Sequence, residues 1–379
     1  MQVAYFSNQF ADAQGHGLSR YARELWQALG DAPGAHTIIP VAAWSSLDAA
    51  QREQLQRDSG LRLLPLGRRL TPLCWTFAGA PRLERLVPTE IDLVHAASMG
   101  YPIATDKPLV VTVHDLGPLS HPEFFRNTRP WVYRRSLAQV VRQAKKIICV
   151  SRSSADELLS FGGRTLHSRI EVIPEGVSPR FFEDSNSDAT KDLSCLNAMP
   201  QGTPYLLSTG KISPRKNIRG VVLAFAELAR HAPHHLVLVG GDGWEVTPVR
   251  KLVHEHGLGQ RVHFTGYVPD QTLRDLYAGA SAYVHPSLYE GFGLTVLEAM
   301  AAGCPVITSN CTSLPEVAGD AALLVDPLDP QALAAALKDV CEDASLAAEL
   351  RLRGRARAGS FSWRACAAQT LSVYRAILD

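Results

Sequence analysis

Two carboxylates, Glu290 and Glu298, bracket the run Gly-Phe-Gly-Leu-Thr-Val-Leu. Gly291 and Gly293 let backbone approach a ligand closely, and Leu294, Leu297 and Met300 mark the start of an amphipathic helix. The N–H groups of residues 291–294 and the positive end of that helix then stand beside Glu290, which suits an anionic or hydroxyl-rich ligand. Glu298, two turns on and on roughly the same helical face, is placed to accept hydrogen bonds from a diol. The plain alternative makes Glu290 an N-cap and Glu298 a surface residue. The glycine pattern and the strand-like Ala282–Ser287 before it weigh against that alternative.

A second group is cationic. Thr209-Gly-Lys-Ile-Ser-Pro-Arg-Lys-Asn217 ends one strand-like run and opens a helical one, which puts Arg215 and Lys216 where a diphosphate can be neutralised by a guanidinium fork and an ammonium point charge. Elsewhere these would read as ordinary surface charges. Gly15-His-Gly17-Leu-Ser-Arg20-Tyr21 follows the first strand-like run. The third position of a dinucleotide fingerprint is Arg20 rather than Gly, so a nicotinamide enzyme is disfavoured. Gly15 and Gly17 alternatively do no more than permit tight strand-to-helix packing. In Val111-Thr-Val-His114-Asp115 an apolar run ends in His-Asp, placing His114 at the ligand edge of an α/β sheet, with Asp115 either setting its tautomer or capping the next turn.

Together these motifs resemble the retaining glycosyltransferases of family 4, and the resemblance runs from the first glycine loop to Phe361-Ser-Trp363. It implies the GT-B fold: two facing Rossmann-like α/β domains with a deep interdomain cleft and a C-terminal helix crossing back to the first domain. By position, Glu290 with Gly291, Phe292, Gly293 and Leu294 holds the donor sugar, and Glu298 the nucleotide ribose. The Pro-Arg-Lys-Asn segment grips the donor pyrophosphate through Arg215 and Lys216, with Lys211 standing where many relatives have Arg. Gly15 and Gly17 approach the phosphate from the first domain, with Arg20 one residue beyond the shortest form of that loop. His114 faces the donor sugar, and Tyr267 and Val268 meet the nucleotide base largely by backbone. His114, Glu290, Arg215 and Lys216 are thus the candidate catalytic set.

The implied reaction moves a hexosyl group from a nucleotide diphosphate sugar to a saccharide or lipid-linked saccharide, with retention by a front-face route. No D-x-D motif stands in a convincing loop, so no metal and no cofactor beyond the co-substrate is expected. The motif combination is similar to bacterial mannosyltransferases of O-antigen and capsular chains, which favours GDP-mannose, with a UDP-sugar as the alternative donor. A nucleotide-sugar epimerase, or a nucleotide-sugar-binding regulatory protein without turnover, are the competing classes.

The elements that must position these residues are legible in the periodicity. Short β-branched apolar runs alternate with helical patterns on both sides of a polar stretch, giving an N-terminal domain 1–182, a linker 183–203, a C-terminal donor domain 204–360, and a terminal helix 361–379 assigned to the first domain. A chain of 379 residues suits two such domains. Its net charge of +1 argues against a broad nucleic-acid-binding surface. The segment Arg126–Arg152, a region that reads as helix with a strand-like run at Ile147–Ser151, nevertheless carries eight cations and no acid, which is either a solvated face or a surface for phospholipid headgroups or a lipid-linked diphosphate acceptor. Seven scattered cysteines, no export signal and no apolar run of membrane-spanning length point to a cytoplasmic protein with at most peripheral membrane contact.

Overall fold

A computed structural model describes residues 1–12, 17–125, 129–183, 194–196, 199–200 and 202–379. The chain divides into two units, one of Met1–Gly176 with Ser362–Asp379, the other of Val177–Phe361. Val177–Phe182 therefore go with the second unit, whereas the sequence reading had given them to the first domain.

The first unit holds a seven-stranded parallel sheet. Its strands are β1 (Gln2–Phe6), β2 (Thr37–Ala42), β3 (Arg62–Leu63), β4 (Leu93–Ala96), β5 (Leu109–Val113), β6 (Ala144–Cys149) and β7 (Ile170–Val172), in the order β3-β2-β1-β4-β5-β6-β7. Leu-Val-Val-Thr-Val of β5 is buried throughout, as a parallel strand covered on both faces requires. The helix Trp363–Leu378 packs on the helix Gly17–Asp31. Ser362 caps it by accepting from the Ala365 N–H (3.2 Å), and the Tyr374 hydroxyl meets His95 Nδ1 at 2.6 Å.

The second unit holds a six-stranded parallel sheet of β8 (Tyr205–Thr209), β9 (His235–Val239), β10 (Val262–Gly266), β11 (Ala282–His285), β12 (Val306–Ser309) and β13 (Leu323–Val325), in the order β10-β9-β8-β11-β12-β13. The strand order reverses direction between β8 and β11. In open α/β sheets that switch point, outside the carboxyl ends of the strands, is where neighbouring loops diverge and leave room for a ligand. The loops leaving β8 and β11 carry Arg215 with Lys216 and Glu290, respectively.

The basic region Arg126–Arg152 is not helical throughout: a helix covers Pro130–Gln143, and the strand-like run read at Ile147–Ser151 is β6, which opens earlier, at Ala144, and closes at Cys149. The apolar Ile-Ile-Cys-Val run beside β5 competes successfully for strand pairing. Lys146 accordingly sits on a strand and pairs with Glu171 at 2.7 Å, while Arg129, Arg134, Arg135, Arg142, Lys145 and Arg152 are exposed. Arg126 lies outside the described residues.

Candidate functional site

The second unit gathers its charged candidates into one cluster. Arg215 Nη1 donates to Glu290 Oε2 at 2.5 Å and to the Tyr289 carbonyl at 2.9 Å; Lys216 Nζ donates to Glu290 Oε1 at 2.7 Å. The Leu288 N–H returns a bond to the Arg215 carbonyl at 2.8 Å, so the loops leaving β8 and β11 are stitched in both directions. Glu290 keeps only 10% of its side-chain surface, Lys216 12% and Arg215 25%. Burial alone would raise the Glu290 pKa, but the Arg215 and Lys216 charges and the His285 hydrogen bond hold it well below the usual carboxylate range. Burial also lowers the Lys216 ammonium, against the pull of Glu290.

Backbone supports the carboxylate from the other side. Thr312, in the left-handed region at φ 56°, accepts the Glu290 N–H on Oγ1 at 3.3 Å. The Ser313 hydroxyl donates to the carbonyls of Glu290 (3.0 Å) and Phe292 (2.7 Å). Gly293 has φ 121°, and a Cβ there would lie 2.8 Å from Leu314 Cδ2, so neither the conformation nor the space admits a side chain. The helix Leu294–Ala301 starts directly after it, with its first-turn N–H groups directed out of the N-terminus beside Glu290.

In the first unit, His114 follows β5 and is tied at both ring nitrogens. Nδ1 meets Glu175 Oε1 at 2.9 Å and Nε2 meets the Ala97 carbonyl at 2.9 Å. Both partners are acceptors, an arrangement that favours the imidazolium. Burial opposes that charge, but Glu175 and the Ala97 carbonyl prevail and raise the pKa. Tyr21 packs edge-on against the ring at 4.5 Å.

Residues 15–181 match the family model described as Glycosyltransferase Family 4, and residues 196–357 that described as Glycosyl transferases group 1. The O-antigen chain mannosyltransferase B of Escherichia coli is 37% identical over 268 residues, covering 70% of each chain. The chain belongs to the family 4 glycosyltransferases of GT-B fold. Among its relatives are the MMP alpha-(1->4)-mannosyltransferase of Mycolicibacterium hassiacum, 30% identical over 300 residues (74% of this chain, 67% of the relative), and a serotype-specific mannosyltransferase of E. coli, 32% identical over 268 residues. The match spans only 32% of that last protein's length. Solved structures of the same fold include Anabaena HepE in complex with UDP and glucose (20% identity, TM-score 0.77, covering 99% of this chain and 100% of that one). Sucrose-phosphate synthase from Thermosynechococcus elongatus is another (22% identity, TM-score 0.78, covering 99% and 98%).

The remaining candidates of this glycosyltransferase fall as follows. Glu298 is buried (1% exposed) one turn inside the helix Leu294–Ala301, which excludes a surface role. Glu290 precedes that helix, so the expectation that the two share a helical face is corrected: Gly293 starts the helix three residues after Glu290. The N-cap position is Gly293's, and the Glu290 carboxylate turns to the cations instead. Phe292 and Leu294 are buried, and Gly291 and Gly293 are half-buried beside them. Lys211 is exposed beyond the cluster. After β10, Val268 is buried, while the Tyr267 ring is 61% exposed.

At the start of the helix Gly17–Asp31, a Cβ on Gly17 would meet nothing within 4 Å among the described residues, so packing against them does not explain that glycine. Gly15 lies outside the described residues. Asp115 accepts the Gly117 N–H at 3.0 Å and caps the next turn; the carboxylate on the His114 ring is Glu175, from the Ile-Pro-Glu-Gly run after β7.

Sequence reasoning passed over His285, Thr312, Ser313 and Glu175. His285 carried the same signal that singled out His114, a histidine ending an apolar strand. Glu175 and the Thr312–Ser313 pair are joined to the site only by the fold. Among the described residues, no group of three or more His, Cys, Asp or Glu side chains is arranged to hold a metal ion, and no helix is long and apolar enough to cross a membrane.

Proposed function

We propose that this glycosyltransferase transfers a mannosyl group, with retention of anomeric configuration, from GDP-mannose to a saccharide or lipid-linked saccharide of a cell-surface polysaccharide, without a metal ion. The observation that carries the donor reading is the Glu290–Arg215–Lys216 cluster at the β8/β11 switch point: two cations for a diphosphate and one ionised carboxylate for sugar hydroxyls. As the glycosidic bond breaks, charge develops on the leaving diphosphate, and Arg215, Lys216 and the helix N-terminus at Leu294 stabilise it. Glu290 orients the sugar by accepting hydrogen bonds. It is engaged by three donors and serves as anchor, not nucleophile, which leaves the front-face route in which the departing phosphate takes the acceptor proton. By the same motif resemblance Glu298 serves the nucleotide ribose, Tyr267 and Val268 the base, and His114 the donor sugar.

Mannose as the transferred sugar is supported by the mannosyl activity in the names of several relatives. A UDP-sugar is the second reading, favoured by the UDP complex of a structural neighbour. Thermal shift with a panel of GDP- and UDP-sugars, followed by transfer assays with wild type and Glu290→Ala, tests both. Stabilisation by UDP-sugars alone removes GDP-mannose, and full activity in the variant removes the site assignment.

We also propose peripheral attachment at a cytoplasmic membrane face. The support is a surface of the first unit where Leu70, Leu73 and Phe77, spaced i, i+3, i+7, are exposed while Thr71 and Trp75 of the same segment are buried. Phe77 contacts the exposed Trp131 ring at 5.8 Å, and Arg135 lies 4.8 Å over Phe77. Arg68, Arg69, Arg129 and Arg134, close to them in the sequence, are exposed as well, a composition suited to an anionic interface.

A further inference from the structure

Behind Glu290 lies a line of polar groups that the reaction as described does not use. Tyr277 OH meets Thr209 Oγ1 at 3.4 Å, Thr209 Oγ1 meets Tyr283 OH at 2.8 Å, Tyr283 OH meets His285 Nδ1 at 2.9 Å, and His285 Nε2 meets Glu290 Oε1 at 3.2 Å. Every member is buried: Tyr277 and Tyr283 at 0%, His285 at 1%, Thr209 at 5%. Burying two phenols, a hydroxyl and an imidazole is costly unless each is hydrogen-bonded.

The chain has one direction. Glu290 is ionised, so the nitrogen facing Oε1 must carry the proton; the opposite tautomer would set a lone pair against a carboxylate. Nδ1 is then an acceptor, Tyr283 donates to it, Thr209 donates to Tyr283, and Tyr277 donates to Thr209. The Ser287 hydroxyl, 3.1 Å from Nε2, lies on the same proton. His285 is neutral, because burial first and the Lys216 charge second push its pKa down to about 4. Its backbone is fixed as well, since Thr308 Oγ1 donates to the His285 carbonyl at 2.9 Å.

Consider what happens to the other two donors on Glu290. A nucleoside diphosphate entering the site competes with the carboxylate for Arg215 and Lys216, and whatever they give to phosphate is withdrawn from Glu290. His285 has no such alternative, being neutral, buried, and anchored from behind. We propose that His285 is a positioning residue for the transfer reaction: its relayed Nε2–H bond keeps the Glu290 carboxylate aimed at the donor sugar while the diphosphate draws Arg215 and Lys216 away. This rests on the assignment of Glu290 to the donor sugar, and it adds a residue whose effect falls on the sugar and not on the nucleotide.

The test compares His285→Leu, His285→Gln and Tyr283→Phe with wild type, using the nucleotide sugar that wild type turns over. Three quantities are measured: kcat for transfer, KM for the nucleotide sugar, and Kd for the corresponding nucleoside diphosphate alone. Gln places an amide N–H near the position of Nε2; Leu places none. A lost hydrogen bond to a charged group predicts a fall in kcat of roughly 10- to 100-fold for His285→Leu. Nucleoside diphosphate affinity should stay within about threefold of wild type, because the phosphate ligands remain. His285→Gln should recover most of the rate, and Tyr283→Phe, cutting the relay one bond back, should lose a few-fold in kcat with Kd unchanged.

The proposal is overturned if His285→Leu transfers within threefold of wild type, if His285→Gln is as impaired as His285→Leu, or if Kd and kcat fall in parallel. Should His285→Leu not fold, His285→Gln and Tyr283→Phe decide by the same criteria. A wild type that ignores GDP-mannose but uses another donor refutes the donor assignment and leaves this comparison intact.

Discussion

Replacing Glu290 by Gln separates two roles that a simpler substitution would confound. The carboxylate is both the partner of the sugar and the internal counter-ion of Arg215 and Lys216, at 2.5 and 2.7 Å. Gln keeps the shape and removes the charge, so the cluster passes from one net positive charge to two. In the empty protein this takes away the carboxylate that two half-buried cations share, and removing one partner of such a pair costs about 3 kcal/mol. For a domain of this size, that corresponds to a fall in Tm of roughly 6–12 °C. For a nucleoside diphosphate the sign reverses. A phosphate bonded to both cations lies roughly 6 Å from the carboxylate they share, and at an effective dielectric constant between 20 and 40 the repulsion removed is about 1.5–3 kcal/mol. The variant should therefore bind GDP or UDP about tenfold more tightly or better, recover most of its lost Tm when saturated with it, and transfer sugar at least 100-fold more slowly. Calorimetry with the free nucleotide, thermal shift and a transfer assay read the three effects. Nucleotide affinity that falls together with turnover would refute the reasoning, because Glu290 would then be needed to build the phosphate site and not merely to balance it.

Further expectations follow from the same geometry. Glu290 is held below its ordinary value of 4.5, so its contribution to stability is present above that pH and is lost as pH falls beneath it; acid titration of Tm should be steeper for wild type than for Glu290→Gln. His114 is shifted the other way. Its pairing with Glu175 stabilises fully below the ordinary histidine value of 6.5 and is lost as pH rises through the raised folded value, so wild type should lose Tm on the alkaline side and Glu175→Gln should not. Transfer activity should survive saturating EDTA within about twofold, since cations of the chain take the place of a divalent ion; loss restored by Mg²⁺ or Mn²⁺ would show otherwise. Phe77→Glu with Leu73→Glu should release the protein from vesicles containing anionic phospholipid by tenfold or more while leaving turnover of a water-soluble acceptor unchanged; undiminished vesicle binding removes that surface from consideration.

The strands were legible because a parallel sheet covered on both faces demands short, largely apolar runs, and β5, β8 and β11 present them. The loops after them were legible as motifs: the second glycine of Gly-Phe-Gly, Gly293, stands at φ 121° with Leu314 Cδ2 2.8 Å from where a Cβ would lie, a position that a side chain does not fit. Less was visible where one segment answers to another. In the segment 126–152 the apolar run from Ile147 is legible as a strand, but its start at Ala144, through Lys145 and Lys146, is set by pairing with β5 and not by any local pattern. Of the two roles open to Asp115, the structure bears out the cap, on the Gly117 N–H, while the carboxylate on the His114 ring is Glu175, which arrives from beyond β7. Thr312 was invisible for a related reason: a β-branched residue at φ 56° is disfavoured by about 1 kcal/mol or more, and only the Glu290 N–H waiting for its hydroxyl makes sense of it.

The arrangement around Glu290 also explains why the two cations and the carboxylate lie in separate stretches of sequence yet act as one group. Arg215 and Lys216 without a counter-ion would repel one another at the end of β8, and the desolvation of Lys216 would favour its neutral form. Glu290 keeps both charged and fixed in the empty protein, so the phosphate-binding geometry exists before the donor arrives and little has to be ordered on binding. The same pairing sets a limit. Every contact Glu290 makes with a cation competes with the phosphate, so a tighter internal pair means weaker nucleotide binding. A neutral third donor escapes that conflict, because it steadies the carboxylate without adding a charge for the diphosphate to capture. An imidazole whose charged form is suppressed by burial meets that requirement where a third Lys or Arg would not, and His285 occupies that position.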